Sequence, residues 1–340
     1  MPVTRSVAPA APITTRPFEA GDEPGVLDVL QKAFGSWPLD TNGADPAQFF
    51  RWKHRESPFG PSILVVAEAD AAVVGFCAWM PWPLIAGGEV QPALRGVDIA
   101  VHPSHRGRGL STALIREAQT RFPDDLALSF STPNELSRPG ILRTGRRHAG
   151  DLPSYIRPSR PLRGAIHLVV RRSTRSGDLR LEAPNAAKAL ADPAASPLVK
   201  QISPPRDRIT TVKDLEYLRW RYGKIEDYRA VRVEADGAMA GLAIFRVRRN
   251  RSARVTRVCE LLVAEDDRRL GGRLLRAVRA AAPTEFISCR FRSRRAAALF
   301  GFVPSPRGTA LLANPLRPDL SPDPTRHASW GLSLGDLELI

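Results

Sequence analysis

Cysteine is scarce, with three in 340 residues. Cys77, Cys259 and Cys289 lie far apart, each inside an apolar stretch. That spacing gives no disulfide framework or zinc cluster, and it fits buried free thiols in a cytosolic setting. Long apolar runs are missing as well. None approaches the ~18–20 residues of a membrane helix, so no membrane span is expected. The first 12 residues form an Ala/Pro tail without the continuous apolar core of a signal peptide. No residue spacing calls for a metal. Acidic residues are outnumbered, 35 against 50 Lys and Arg, giving a net charge of +15. A polyanion or an acidic small molecule would suit such a balance. The excess is scattered, however. Its densest run, "RVRRNRSARVTR" (246–257), reads as two strand ends and a turn, without interleaved aromatic residues. A nucleic-acid partner is therefore not expected.

The length exceeds the ~100–200 residues of one domain, and apolar (43%) and charged (25%) residues are at ordinary globular levels. After the tail, residues 14–37 read as a strand and a helix. "DPAQFFRWKH" reads as a second helix, with Asp45 as N-cap and Pro46 at its first position. Residues 61–101 read as a three-strand meander with turns at Ala69-Asp70-Ala71 and Gly87-Gly88. A helix from Gly109 to Phe122, a strand at "LALSF" (126–130) and a further helix follow.

The second half repeats this order. "FFRWKH" matches "YLRWRY", pairing Trp52 with Trp220, an offset of 220 − 52 = 168. "AEADAAVVG" matches "VEADGAMAG", pairing Gly75 with Gly241 at 166. "VDIAVHPSHRGRG" matches "CELLVAEDDRRLG", pairing Asp98 with Glu260 at 162. Three anchors in order, with a small drift, indicate a tandem duplication. The expected domains are 13–160 and 206–340. Residues 161–205 connect them through a strand, "AIHLVV", and an uneven Ala/Pro-rich stretch.

The chemistry concentrates in "DIAVHPSHRGRGLSTALIREA" (98–118). A strand, a proline, a turn with two glycines and a helix start make an anion cradle. The first helical N–H groups lack partners, and the helix dipole adds positive potential there. Gly107 and Gly109 let backbone approach a ligand, and Arg106 and Arg108 add charge. A P-loop is excluded by the missing Gly-Lys-Ser/Thr, and a dinucleotide fingerprint by the missing third glycine.

"RGRGLS" resembles the acetyl-CoA-binding motif of the GCN5-related N-acetyltransferase (GNAT) superfamily: Arg106, Gly107, Arg108, Gly109, Leu110 and Ser111. Ser111 departs mildly from the family's Gly or Ala. The order of elements is the family's too. The resemblance implies an α/β (α+β) chain of two tandem GNAT-fold domains, each a mixed, mostly antiparallel twisted sheet flanked by helices. It implies acetyl-CoA as co-substrate, with the amides of residues 106–111 on its pyrophosphate. Backbone N–H groups at a bulge near Ile99, Ala100 and Val101 would face the thioester oxygen. Asp98 stands where the family often carries an acidic residue. It is a candidate base, or else half of a structural ion pair with a neighbour such as Arg95. Alternation places Asp98, Ala100 and His102 on one face and Val97, Ile99 and Val101 on the other. The family's Tyr acid falls on Ile141. Tyr155 is a possible substitute, and Ser131 or a water another. Asn134 is open to a pantetheine contact or a helix N-cap. Trp79 and Trp82 are open to acceptor-pocket or core roles.

In the second copy, Glu265, Asp266 and Asp267 stand beside the equivalent helix start and oppose a diphosphate, so that copy is expected to be cofactor-free. The resemblance thus implies a cytoplasmic enzyme, a monomer or homodimer, that acetylates the primary amine of a small molecule in a ternary complex. A protein acetyltransferase and a non-catalytic acyl-CoA-binding module are the alternatives.

Overall fold

The computed structural model describes residues 12–38, 44–159, 181–224, 227–250, 253–263 and 267–337. The first half opens with β1 (Thr14–Pro17), α1 (Glu23–Phe34) and α2 (Pro46–His54). Asp45 caps α2 as the sequence predicts, accepting from the Gln48 N–H at 2.7 Å. Then come β2 (Ile63–Ala69), β3 (Ala72–Pro81), β4 (Leu84–Ala86), β5 (Glu89–Gln91) and β6 (Ala93–Val101). The meander departs from expectation at its middle. Pro83 and Pro92 break the run, and β4 and β5 leave the main sheet as a small hairpin joined by β10 (Thr210–Thr211) of the second half. After β6 come α3 (Leu110–Gln119), β7 (Leu128–Ser131), α4 (Arg138–Leu142), β8 (Arg147–Leu152) and β9 (Tyr155–Pro158).

The predicted strand "AIHLVV" lies outside the described residues. The Ala/Pro-rich stretch beyond it holds two helices, α5 (Ala186–Ala191) and α6 (Ala195–Gln201). Asn185 caps α5 by accepting from Ala187 N–H at 2.8 Å, which lets so short a segment start. The second copy follows: α7 (Leu215–Gly223), β11 (Arg229–Ala235), β12 (Ala238–Asn250), β13 (Ala253–Val263), α8 (Arg268–Ala281), β14 (Phe286–Cys289), α9 (Arg294–Leu299), β15 (Val303–Pro304) and β16 (Thr309–Pro315). A last turn of helix, α10, spans Leu334–Leu337.

Two mixed sheets result, one of order β1-β2-β3-β6-β7-β16-β8 and one of order β11-β12-β13-β14-β9-β15. Each takes a strand from the other half of the chain. β16 lies between β7 and β8, and β9 lies between β14 and β15. The sheets therefore cross the boundaries at 160 and 206 read from the sequence. Periodicity shows that a segment is a strand but not which edge it joins.

One apolar core runs between the halves, from Val26 and Phe50 through Trp82 to Tyr217, Trp220 and Ile244. Two smaller cores lie on the outer faces, one between the first sheet and α3, the other between the second sheet and α8. Trp79 and Trp82 are fully buried, one in an outer core and one in the central core, which settles both as packing residues.

Candidate functional site

In β6 the β3 partner of Phe76 is Ala100, while that of Ala78 is Val97. Asp98 and Ile99 thus share one position opposite Cys77, a β-bulge, and Asp98 takes φ +49°. The bulge shifts the alternation read from the sequence. Val97 now shares the central-core face with Ala100, and Ile99 and Val101 keep the opposite one. β6 pairs with β7 only as far as Gly96 opposite Ser131, and runs on alone to Val101. A wedge opens there, with the bulge along one side.

The loop follows directly. His102, Ser104 and His105 join through the Ser104 hydroxyl, 2.7 Å from His102 Nδ1 and 2.8 Å from His105 Nδ1. Gly107 and Gly109 take φ +78° and +76°, conformations that glycine adopts without strain. Among the described residues, nothing bonds to the N–H groups of Gly107, Arg108, Gly109, Leu110 or Ser111. Five consecutive donors at the start of α3 are free for an anion. Arg106 donates through Nη2 to the Ala33 carbonyl at 3.1 Å, strapping the loop to the end of α1, and Arg108 is exposed. Ser111 fits because α4 presents Gly140. A Cβ built there would lie 2.8 Å from Ser111 Oγ.

Asp98 is tied to α2. Lys53 Nζ lies 2.8 Å from its Oδ2, His54 Nε2 lies 3.0 Å from the same oxygen, and Trp37 Nε1 lies 3.5 Å from Oδ1. Lys53 and His54 are buried. Burial alone would raise the Asp98 carboxyl; the Lys53 ammonium and the His54 N–H outweigh it and hold the group far below the ordinary carboxylate range. Burial pulls Lys53 down against the attraction of Asp98, and pulls His54 down so that its imidazole is neutral at pH 7. The ion-pair partner is thus Lys53 and not Arg95. Arg95 is buried over the Trp82 and Phe130 rings, and donates to Thr132 at 3.3 Å.

Other expected residues fall away from the loop. Tyr155 belongs to the second sheet, paired with Cys289 and packed on Phe291, so the structure does not bring it to the wedge. Ile141 is buried under α3. Asn134 serves its own turn, accepting from Ser137 N–H at 2.9 Å and Ser137 Oγ at 3.0 Å. Sequence reading passed over Lys53 and His54. Their signal was two ionisable side chains closing an otherwise aromatic helix, within the very anchor that revealed the duplication.

The second copy differs at each point. The β13 ladder also carries a bulge, but one residue earlier: Ile244 pairs with Glu260 and Phe245 with Val258, which leaves Cys259, the equivalent of Val97 (259 − 162 = 97), as the extra residue, and from Glu260 the pairing runs on to Val263 opposite Gly241. Helix α8 starts at Arg268, the equivalent of Arg106 (268 − 162 = 106), and so winds up the turn that is open before α3. Asp267 caps it, accepting from Arg269 N–H at 2.6 Å and Leu270 N–H at 3.3 Å. A carboxylate of the chain itself takes the place an anion would fill. Glu265 and Asp266 lie outside the described residues.

Residues 14–144 match the family description "Acetyltransferase (GNAT) domain". That match spans 131 of the 340 residues, all within the first half. A 118-residue stretch is 33% identical to the mycothiol acetyltransferase of Acidimicrobium ferrooxidans, covering 32% of this chain and about a third (34%) of that protein. Over about 90% of the chain the fold is similar to that of solved GNAT proteins. A GCN5-related N-acetyltransferase from Anabaena variabilis matches 90% of this chain and 73% of its own, with TM-score 0.64 and 13% identity. Eis1 from Mycobacterium abscessus matches 89% and 73%, with TM-score 0.57 and 16% identity. Among the described residues no helix is long and apolar enough to cross a membrane.

Proposed function

We propose that the chain is an N-acetyltransferase that binds one acetyl-CoA, in its first half, and passes the acetyl group directly to the primary amine of a small molecule. The observation that carries this reading is the contrast between the two loops. The start of α3 offers five free amides, whereas the start of α8 is filled by Asp267. Loop amides and Arg106 would hold the pyrophosphate. Amides exposed by the bulge at Asp98 and Ile99 would face the thioester oxygen as negative charge develops on it. Asp98 is a weak base in this setting, since it is already held ionised by Lys53. Its role in this reading is to fix the bulge and α2 in register. Ser131 ends the paired part of β7, and its buried hydroxyl has no hydrogen-bond partner among the described residues. In this reading it is the side chain that meets the leaving thiolate. The small-molecule acceptor rests on the similarity to a mycothiol acetyltransferase.

Calorimetry with acetyl-CoA tests the site, with one binding event expected per chain and none in Gly109→Glu. Equal binding by that variant would remove the loop from the cofactor site. A second reading, a non-catalytic acyl-CoA-binding module, is favoured by buried Ile141 at the position of the family's acid. Thiol release from acetyl-CoA with a panel of amines separates the two.

A further inference from the structure

His54 makes a second hydrogen bond on the side away from Asp98. Its Nδ1 lies 3.1 Å from Ser62 Oγ. Ser62 stands just before β2 and is anchored by its own N–H, which donates to the His54 carbonyl at 2.9 Å. It lines a surface pocket of about 200 Å³ with Phe18, His54, Arg55, Pro61 and Leu64. The three groups form a series, hydroxyl to imidazole to carboxylate.

Proton positions in the series follow from charge. Asp98 is an ionised carboxylate and can only accept, so the His54 N–H sits on Nε2. Nδ1 then carries the lone pair, and the Ser62 hydroxyl donates to it. The imidazole cannot turn away, because Phe50 and Phe76 pack on it with ring centroids 4.9 and 6.0 Å off. A hydroxyl, a neutral imidazole and an oriented carboxylate in hydrogen-bond reach of one another are the parts of an activated serine nucleophile. The charged groups around His54 are Asp98, Lys53 and Arg55. Lys53 shares the carboxylate and lessens its pull on the imidazole. Arg55 is exposed and lines the same pocket as Ser62, its guanidinium 5.5 Å from the centroid of the Phe18 ring.

We propose that Ser62 is a nucleophile, activated by His54 and Asp98, that accepts short acyl groups from esters in the pocket beside it. This site shares Asp98 with the bulge but none of the loop residues 106–111, and it does not rest on the function proposed above. In the step, Ser62 Oγ bonds to the ester carbonyl carbon and its proton passes to His54 Nδ1. The bond from that carbon to the alcohol oxygen breaks, and the alcohol leaves with the proton from His54. Water then attacks the acyl-serine, giving its proton to His54, which returns it to Ser62 Oγ as the carboxylic acid departs. The pocket is below the ~300 Å³ of ordinary ligand clefts, which limits the acyl group to a short chain.

The full chain, treated with diisopropyl fluorophosphate and read by intact mass and peptide mapping, is expected to carry one diisopropylphosphoryl group, on Ser62. Ser62→Ala should lose both this label and hydrolysis of p-nitrophenyl acetate while retaining acetyl-CoA binding by calorimetry. His54→Gln should slow labelling by about 100-fold or more, the usual weight of a general base. An unlabelled Ser62 in folded wild-type protein overturns the proposal, as does ester hydrolysis that survives in Ser62→Ala. Neither result bears on the acetyl-CoA loop, whose failure would appear in the calorimetry alone.

Discussion

Trp52 and Trp220 stack across the joint between the two halves, with ring centroids 5.0 Å apart and planes inclined by 22°. Each indole N–H donates to the other's backbone carbonyl, at 3.0 and 3.1 Å. Equivalent residues of the duplicated copies thus make the same contact in both directions, as in a two-fold symmetric dimer. The copies meet through the equivalent helices α2 and α7, and Lys53 and His54 follow Trp52 directly in α2.

Truncating one of these rings should therefore destabilise the joint and not one half alone. Trp52→Ala removes a buried aromatic and leaves the Trp220 carbonyl without its donor. A loss of about 3–5 kcal/mol is expected. Urea unfolding followed by tryptophan fluorescence and by circular dichroism should give coincident transitions at a lower midpoint. Two separated transitions would show that the halves unfold independently.

The exchanged strands make the same point more strongly. A fragment ending at residue 159 lacks β16, so β7 and β8 face each other across a missing strand with their ladder groups unpaired. Such a fragment is expected to aggregate or stay unfolded. If it proves to be a soluble, cooperatively unfolding monomer, β16 is not the strand that joins β7 to β8.

Asp98 and Lys53 can be tested as a buried pair. Asp98→Asn leaves the Lys53 ammonium buried without its counter-charge, which costs about 3–5 kcal/mol. Lys53 already has a pKa below its ordinary value, and loss of the carboxylate lowers it further. Stability of the variant should accordingly recover as pH rises and Lys53 gives up its proton. Adding Lys53→Met should restore most of the loss at neutral pH. A double variant as unstable as Asp98→Asn would show that the carboxylate is needed for something besides Lys53.

His54 sets an acid limit of its own. Its folded pKa is depressed, chiefly by burial, so below about pH 6.5 the unfolded chain takes up a proton that the folded chain refuses. Stability then falls as pH drops. Asp98, depressed as well, loses its contribution only below the ordinary carboxylate range, so of the two only His54 acts between pH 7.5 and pH 5.5. The urea midpoint should fall between pH 7.5 and pH 5.5 in the wild type and by less in His54→Gln. An equal fall in both would assign the acid sensitivity to other groups.

Elements whose signals are local were legible in the sequence. The Asp45 cap, the turn at Asp70 and Ala71, and the Gly-Arg loop each depend on side chains within a few residues of one another. The bulge at Asp98 was expected only through the family resemblance, slightly further along the strand. Its position depends on how β3 pairs, which residue types do not reveal. The exchanged strands were not legible at all, because β9 and β16 carry the same pattern whichever sheet receives them. Partnership of Lys53 and His54 with Asp98 was hidden for a related reason, being made across 45 and 44 residues of chain.

The equivalent carboxylate of the second copy has a different fate. Tyr222, the counterpart of His54 (222 − 168 = 54), donates to Glu260 Oε1 at 2.6 Å, and Ser333 Oγ lies 2.8 Å from the same oxygen. Lys213 bridges Glu260 and Asp336 at 2.7 and 2.9 Å. Burial raises Glu260, while Lys213 and the Ser333 N–H outweigh burial and keep Asp336 low. Helix α10 thus lies directly against this carboxylate, and it can do so only because residue 335 is glycine. A Cβ there would come within 2.0 Å of Tyr222 Oη and 2.9 Å of Glu260 Oε1. Gly335→Ala must push α10 off or break the Tyr222–Glu260 bond. A loss of about 1–3 kcal/mol is expected, with the amides of 333–337 exchanging faster with solvent deuterium. Unchanged thermal unfolding and unchanged exchange in Gly335→Ala would mean that α10 does not rest on Glu260.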